Sequence, residues 1–130
     1  MQCVYYRDPT GVEPVRRFLE ALPAPTRALI MNQLDRMNEQ APGDPPLPFP
    51  WTSQVEGELR EFRAHHGRDH YRFLYRRSGN LFVLLHALAK RSGPLPSSAI
   101  VLAKQRWADF KARMNAVRRM SPRAAGHDAP

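Results

Sequence analysis

Beyond Gly57 the hydrophobic period of this chain switches from helical to two, and few folds accommodate that order of elements. Leu59, Glu61 and Arg63 fall on one face of an extended segment, and Arg60, Phe62 and Ala64 on the other. In the next segment Tyr71, Phe73 and Tyr75 alternate with Arg72, Leu74 and Arg76. Ser78-Gly79 supplies a turn into Leu81–Ala89, which is apolar on both faces apart from His86, as a strand covered on both sides should be. Three such strands separated by short turns predict an antiparallel meander.

The segments on either side read differently. Val4-Tyr5-Tyr6 is a short β-prone run closed by the turn cluster Asp8-Pro9-Thr10-Gly11. Val15, Phe18, Leu19 and Leu22 then recur at helical spacing until Pro23. Pro25 suits the first turn of a second helix, whose stripe is Leu29, Ile30, Leu34 and Met37. Five prolines between Ala41 and Trp51 exclude a helix or a central strand there, leaving a loop held by Leu47, Phe49 and Trp51. After Pro94 and Pro96, Ser97 suits an N-cap. Ile100, Ala103, Trp107, Phe110, Met114 and Val117 predict an amphipathic helix of about 22 residues. The expectation is a single α+β domain over residues 1–119, with a disordered tail over 120–130.

Composition narrows the class. At 130 residues and 42% apolar, the chain can bury one core. Its longest apolar run is far short of the ~20 residues of a membrane span. The N-terminus lacks a signal-peptide pattern, and one cysteine, Cys3, cannot form an internal disulfide. A small soluble cytoplasmic domain is expected. The net charge of +8 is uneven: residues 1–56 hold five arginines against seven acids, whereas residues 57–119 hold fourteen basic side chains against four acids. A field so concentrated points to a polyanion, nucleic acid being the commonest; a merely solvated basic surface is the bland alternative.

The order strand, helix, helix, three-stranded meander, basic helix resembles the RelE/ParE toxin superfamily of bacterial toxin–antitoxin systems, and most closely its phage-derived HigB-like branch. Four segments carry the resemblance. Arg7–Leu19 is similar to the opening DPxGxxPVxxFL pattern, and Glu61-Phe62-Arg63 to an E-L-R strand. Tyr71-Arg72-Phe73-Leu74-Tyr75 is similar to a Y-R-hydrophobic-hydrophobic-Y strand, and Leu84–Arg91 to an LLHGFxKK strand end. The resemblance covers roughly residues 4–110. It implies a toxin acting as a ribosome-dependent mRNA endoribonuclease, without metal or cofactor, held by a cognate antitoxin encoded beside it. There is one departure: Lys90-Arg91-Ser92-Gly93-Pro94-Leu95-Pro96 stands where relatives read KKTQKTP, which implies a weakened grip or altered codon preference. Ser97 stands about where RelE places a tyrosine.

RNA cleavage needs charge stabilisation at the phosphate, which guanidinium and ammonium groups supply. Arg63, Arg72 and Lys90 are the candidate clamp, with Arg60, Arg76, Arg91 and Lys104 as further RNA-binding positions. The competing reading pairs Arg63 or Arg72 with Glu58, Glu61 or Asp69 for purely structural reasons. His86 is either a proton shuttle or a hydrogen-bonded core histidine. His65, His66 and His70 bracket a glycine turn without acids or cysteines to complete a metal shell, and His66 or His70 facing the basic cleft is the better use. Trp107, Phe110, Tyr71 and Tyr75 read as core, and Trp51 as a pin for its loop or a contact for a partner. Two rival functions remain: a ParE-like DNA gyrase inhibitor, and a nucleic-acid-binding module without catalysis.

Overall fold

The computed structural model describes residues 1–115 and contains one five-stranded mixed sheet and three helices. In chain order these are β1 (Gln2–Tyr5), α1 (Pro14–Glu20), α2 (Ala24–Asn38), β2 (Thr52–Glu56), β3 (Leu59–His66), β4 (Asp69–Ser78), β5 (Leu81–Ala89) and α3 (Ser97–Met114). Across the sheet the order is β1-β5-β4-β3-β2. Strands β2 to β5 run antiparallel to their neighbours, and β1 joins β5 in parallel, from Gln2 opposite Leu81 to Tyr5 opposite Leu84.

The α+β class, the helical hairpin and the meander agree with the sequence, but the strand count does not. Thr52–Glu56 is an additional strand at the sheet edge, paired through Thr52–Phe62, Ser53–Glu61 and Gln54–Arg60. It carries one aliphatic residue, Val55, so no alternating apolar face marks it, and pairing with β3 fixes its extended form. Helix α3 has 18 residues, about 27 Å, with Pro96 and not Ser97 in the cap position. Val117 and the tail 120–130 lie outside the described residues. No helix among the described residues is long and apolar enough to cross a membrane.

Both faces of the sheet are covered, which explains the doubly apolar β5. On one face Phe62, Phe73, Tyr75 and Leu84 pack against Val15, Leu19, Ile30, Leu34 and Met37 of the hairpin. The rings of Phe62 and Phe73 stack at 4.5 Å. On the other face Leu59, Leu74, Val83 and Leu85 meet Ala103 and Phe110 of α3. Leu85 is the extra residue of a β-bulge: Leu74 pairs with His86 and Tyr75 with Leu84. The bulge resets the alternation, so Leu84 and Ala87 share the hairpin-side core although three positions apart.

Two local features set up the far end of β3 and β4. Gly67, at φ +62°, takes the left-handed turn that a side chain would strain. The resulting register places Arg63 opposite Arg72 and His65 opposite His70. The proline-rich loop is pinned beside them: Thr52 Oγ1 donates to the Leu47 carbonyl, and Arg63 N donates to the Trp51 carbonyl at 2.9 Å.

Candidate functional site

Arg63 and Arg72 face one another across antiparallel strands, an arrangement of like charges that is unfavourable by itself. Glu61, two positions before Arg63 on β3, resolves it. Its Oε1 accepts from Arg63 Nε at 3.0 Å and Nη2 at 2.9 Å, and from Ser53 Oγ at 3.1 Å. Its Oε2 lies 3.8 Å from Arg72 Nε. Both Glu61 and Arg72 are buried, at 3% and 4% exposure. Arg72 also donates from Nη1 to the Gly93 carbonyl at 2.8 Å, tying β4 to the loop that follows β5. The structural pairing weighed for Arg63 and Arg72 is therefore present, with Glu61 as the shared acid.

These side chains belong to a cleft of 260 Å³ lined by Arg63, Arg72, Lys90 and Arg91, with Trp51, His65, His70 and Tyr71. Four cations against the single carboxylate of Glu61 leave it strongly positive. Lys90 N donates to the His70 carbonyl at 3.0 Å, which fixes where the basic pair leaves the sheet. A larger hollow of 720 Å³ beside the Ser78–Leu81 turn has no charged side chain among its described lining, so size does not select the site. The smaller cleft suits a phosphodiester better than a drug-sized ligand, whose pockets begin at ~300 Å³.

Other candidate residues lie elsewhere. Arg60 is on the hairpin face and donates to Thr52 Oγ1 at 3.0 Å. Arg76 pairs with Glu58 at 2.5 Å and lies over the Trp107 ring at 4.5 Å. Lys104 pairs with Glu56 at 2.8 Å. None of the three lines the cleft. Nor does His86. It sits at the bulge with Nδ1 3.3 Å from Arg106 Nη1, which also donates to the Leu85 carbonyl at 2.8 Å. Burial, and then the adjacent Arg106, hold its imidazole below the ordinary histidine value, which favours the neutral ring. The hydrogen-bonded histidine of the two readings describes this geometry.

The histidines around Gly67 divide. His65 and His70 stack at 5.4 Å and both line the cleft, whereas His66 Nδ1 lies 2.8 Å from Thr26 Oγ1. Among the described residues no group of three or more His, Cys, Asp or Glu side chains is gathered as a metal ion would require. Tyr71, Phe73 and Tyr75 are core, and Trp107 stacks on the buried Phe110 at 5.4 Å. The sequence named Glu61 as one of three possible acids for Arg63 or Arg72, and His66 or His70 as the histidine facing the cleft. The register of the β3–β4 hairpin selects Glu61 as the acid shared by both arginines and adds His65 beside His70.

The segment after Lys90 also acquires a structural meaning. Gly93 offers its carbonyl to Arg72, and Leu95 packs against the core beneath α3. Lys90–Pro96 thus leaves the sheet as an anchored loop. No curated protein matches the chain. Residues 17–108 match the family described as Phage derived protein Gp49-like (DUF891), a span that includes most of both core faces and every cation of the cleft. With well over half of its length inside that match, the chain belongs to the phage-derived Gp49-like family, a family of RelE/HigB-like toxins.

Proposed function

We propose that the protein is the toxin of a type II toxin–antitoxin pair and that it cleaves mRNA on the ribosome. Membership of the Gp49-like family is consistent with a toxin of such a system and with an antitoxin partner. The observation that carries the finer reading is the cleft in which Arg63, Arg72, Lys90 and Arg91 converge. In this reading Lys90 and Arg91 engage the phosphate directly, and Arg63 presents the part of its fork not used by Glu61. Arg72, buried and tied to Gly93, holds the cleft's two walls together. Accumulating charge on the phosphate is met by fixed cations, which is where most of such a rate enhancement arises. In this reading His65 and His70, the imidazoles within that lining, and not His86, transfer the proton. The mRNA held in the ribosomal A site supplies the remaining geometry, an entropic contribution that a free strand lacks.

The test is short induction in bacteria, with mapping of new mRNA 5′ ends, beside a Lys90→Ala/Arg91→Ala variant of equal expression and melting temperature. The wild type should arrest growth and cut ribosome-bound mRNA, and the double variant should do neither. Arrest with a DNA-damage response and no new 5′ ends would replace this reading with gyrase poisoning. Wild-type induction without arrest or cleavage would leave only a binding module.

A further inference from the structure

Phe49 is 70% exposed, well above Val101, Trp51 and Met31, the other exposed large apolar side chains among the described residues. Leaving a phenylalanine in water forgoes its burial free energy, and shelter is close by, because Leu47 two residues earlier packs on the core. The exposure is not the result of a slack loop. Pro48 and Pro50 flank the ring, Trp51 N donates to the Pro48 carbonyl at 2.9 Å, and Thr52 closes on Leu47. Phe49 is thus held out on a stiff turn. Its ring lies 5.3 Å from the guanidinium carbon of Arg63, one of the cleft's cations. Trp51, 40% exposed, lines the same cleft and has Arg36 5.2 Å from its ring.

We infer that Phe49 and Trp51 form a stacking platform for an unpaired nucleobase whose phosphate occupies the basic cleft. This rests on the RNA reading of that cleft and adds a subsite to it. Aromatic faces interleaved with guanidinium groups match a single-stranded nucleotide, which offers a π-face and an anion a few ångströms apart. A purely apolar protein helix laid here would instead bury Arg36 and the part of the Arg63 fork that Glu61 does not hold, and offer neither a polar partner. The stiff loop lowers the ordering cost of capturing a base. Duplex RNA, whose bases are already stacked, gains nothing from the platform.

The experiment is fluorescence anisotropy at low salt with the full chain and three probes: a twelve-nucleotide oligouridine, the same strand with abasic riboses at its centre, and an RNA duplex. Phe49→Ala should weaken oligouridine binding about tenfold and leave the abasic strand and the duplex unchanged, while Phe49→Tyr keeps the wild-type affinity. Lys90→Ala/Arg91→Ala should weaken oligouridine and the abasic strand alike. Unchanged oligouridine binding by Phe49→Ala, or an equal loss on the abasic strand, would overturn the platform while leaving the phosphate clamp standing. A wild-type protein that binds none of the three probes would overturn the clamp and the platform together.

Discussion

At the scale of single residues, Arg72 shows how far an alternation pattern reaches. The pattern puts Arg72 on the face opposite Tyr71, Phe73 and Tyr75, which is correct, and from that its truncation is expected to leave the fold intact. The structure corrects the second step: that face is covered too, and Arg72 is buried against Glu61 and the Gly93 carbonyl. Arg72→Ala should therefore cost about 2 kcal/mol, because it removes a buried side chain with its bond to the Gly93 carbonyl and takes from Glu61 Oε2 its nearby cation, while Arg63 still holds Oε1. Chemical denaturation measures this, and Arg72→Lys should recover part of the loss. A loss of toxicity in Arg72→Ala alone would thus report folding as much as the site, so the exposed Arg91 is the cleaner probe. Cys3 gives a second residue-scale expectation. Burial pushes its thiol up to about 12, so the reactive thiolate is scarce in the native protein. Alkylation at mildly alkaline pH should accelerate on the order of 100-fold or more upon denaturation.

At the scale of elements, the bulge in β5 couples a strand to a helix through a titratable group. His86 is held below its ordinary value of 6.5 by burial and by Arg106. The unfolded chain therefore takes up a proton before the folded one does. Stability from this site is fully present above about pH 6.5 and falls away as pH drops toward the folded value. The melting temperature should decline from pH 7.5 to 5.5 in the wild type, and His86→Gln should flatten part of that decline. The bulge itself was not legible in Leu81–Ala89, since an apolar run fits a regular strand equally well. β2 was hidden for the opposite reason, being polar and short. The helices and the strands of the meander were legible because each buries a periodic apolar face. The cleft was legible only as a set of cations, because the proline-rich loop and the segment after β5 that close it against β3 and β4 follow paths no periodicity records.

At the scale of the whole molecule, the uneven charge noted in the sequence becomes a cleft at one end of the sheet, with other basic side chains already spoken for. Lys104, Arg76 and Arg16 each have an acidic partner, so the formal charge overstates the field available to a ligand. Binding to single-stranded RNA should weaken with salt at a logarithmic slope of about −0.7 per phosphate contacted. Loss of Lys90 and Arg91 together should reduce that slope by roughly 1.4, measured as affinity against salt concentration. An antitoxin that covers the cleft with acidic residues should associate more slowly at high ionic strength, whereas one that displaces α3 by apolar contact should not.

The parallel joining of β1 to β5, and the 2.6 Å bond from the Tyr6 hydroxyl to Asp109, give the protein a timetable. That bond spans 103 positions, so the beginning of the chain waits for its end. During synthesis the meander has all its local partners early, but Leu74, Val83 and Leu85 stay uncovered until α3 emerges. A half-made molecule is consequently an unfinished sheet with an oily side, open to chaperones and proteases. A chain stopped at Pro96 should accumulate poorly and leave growth untouched, as expression and colony counts would show. The cell is exposed to the finished product all at once.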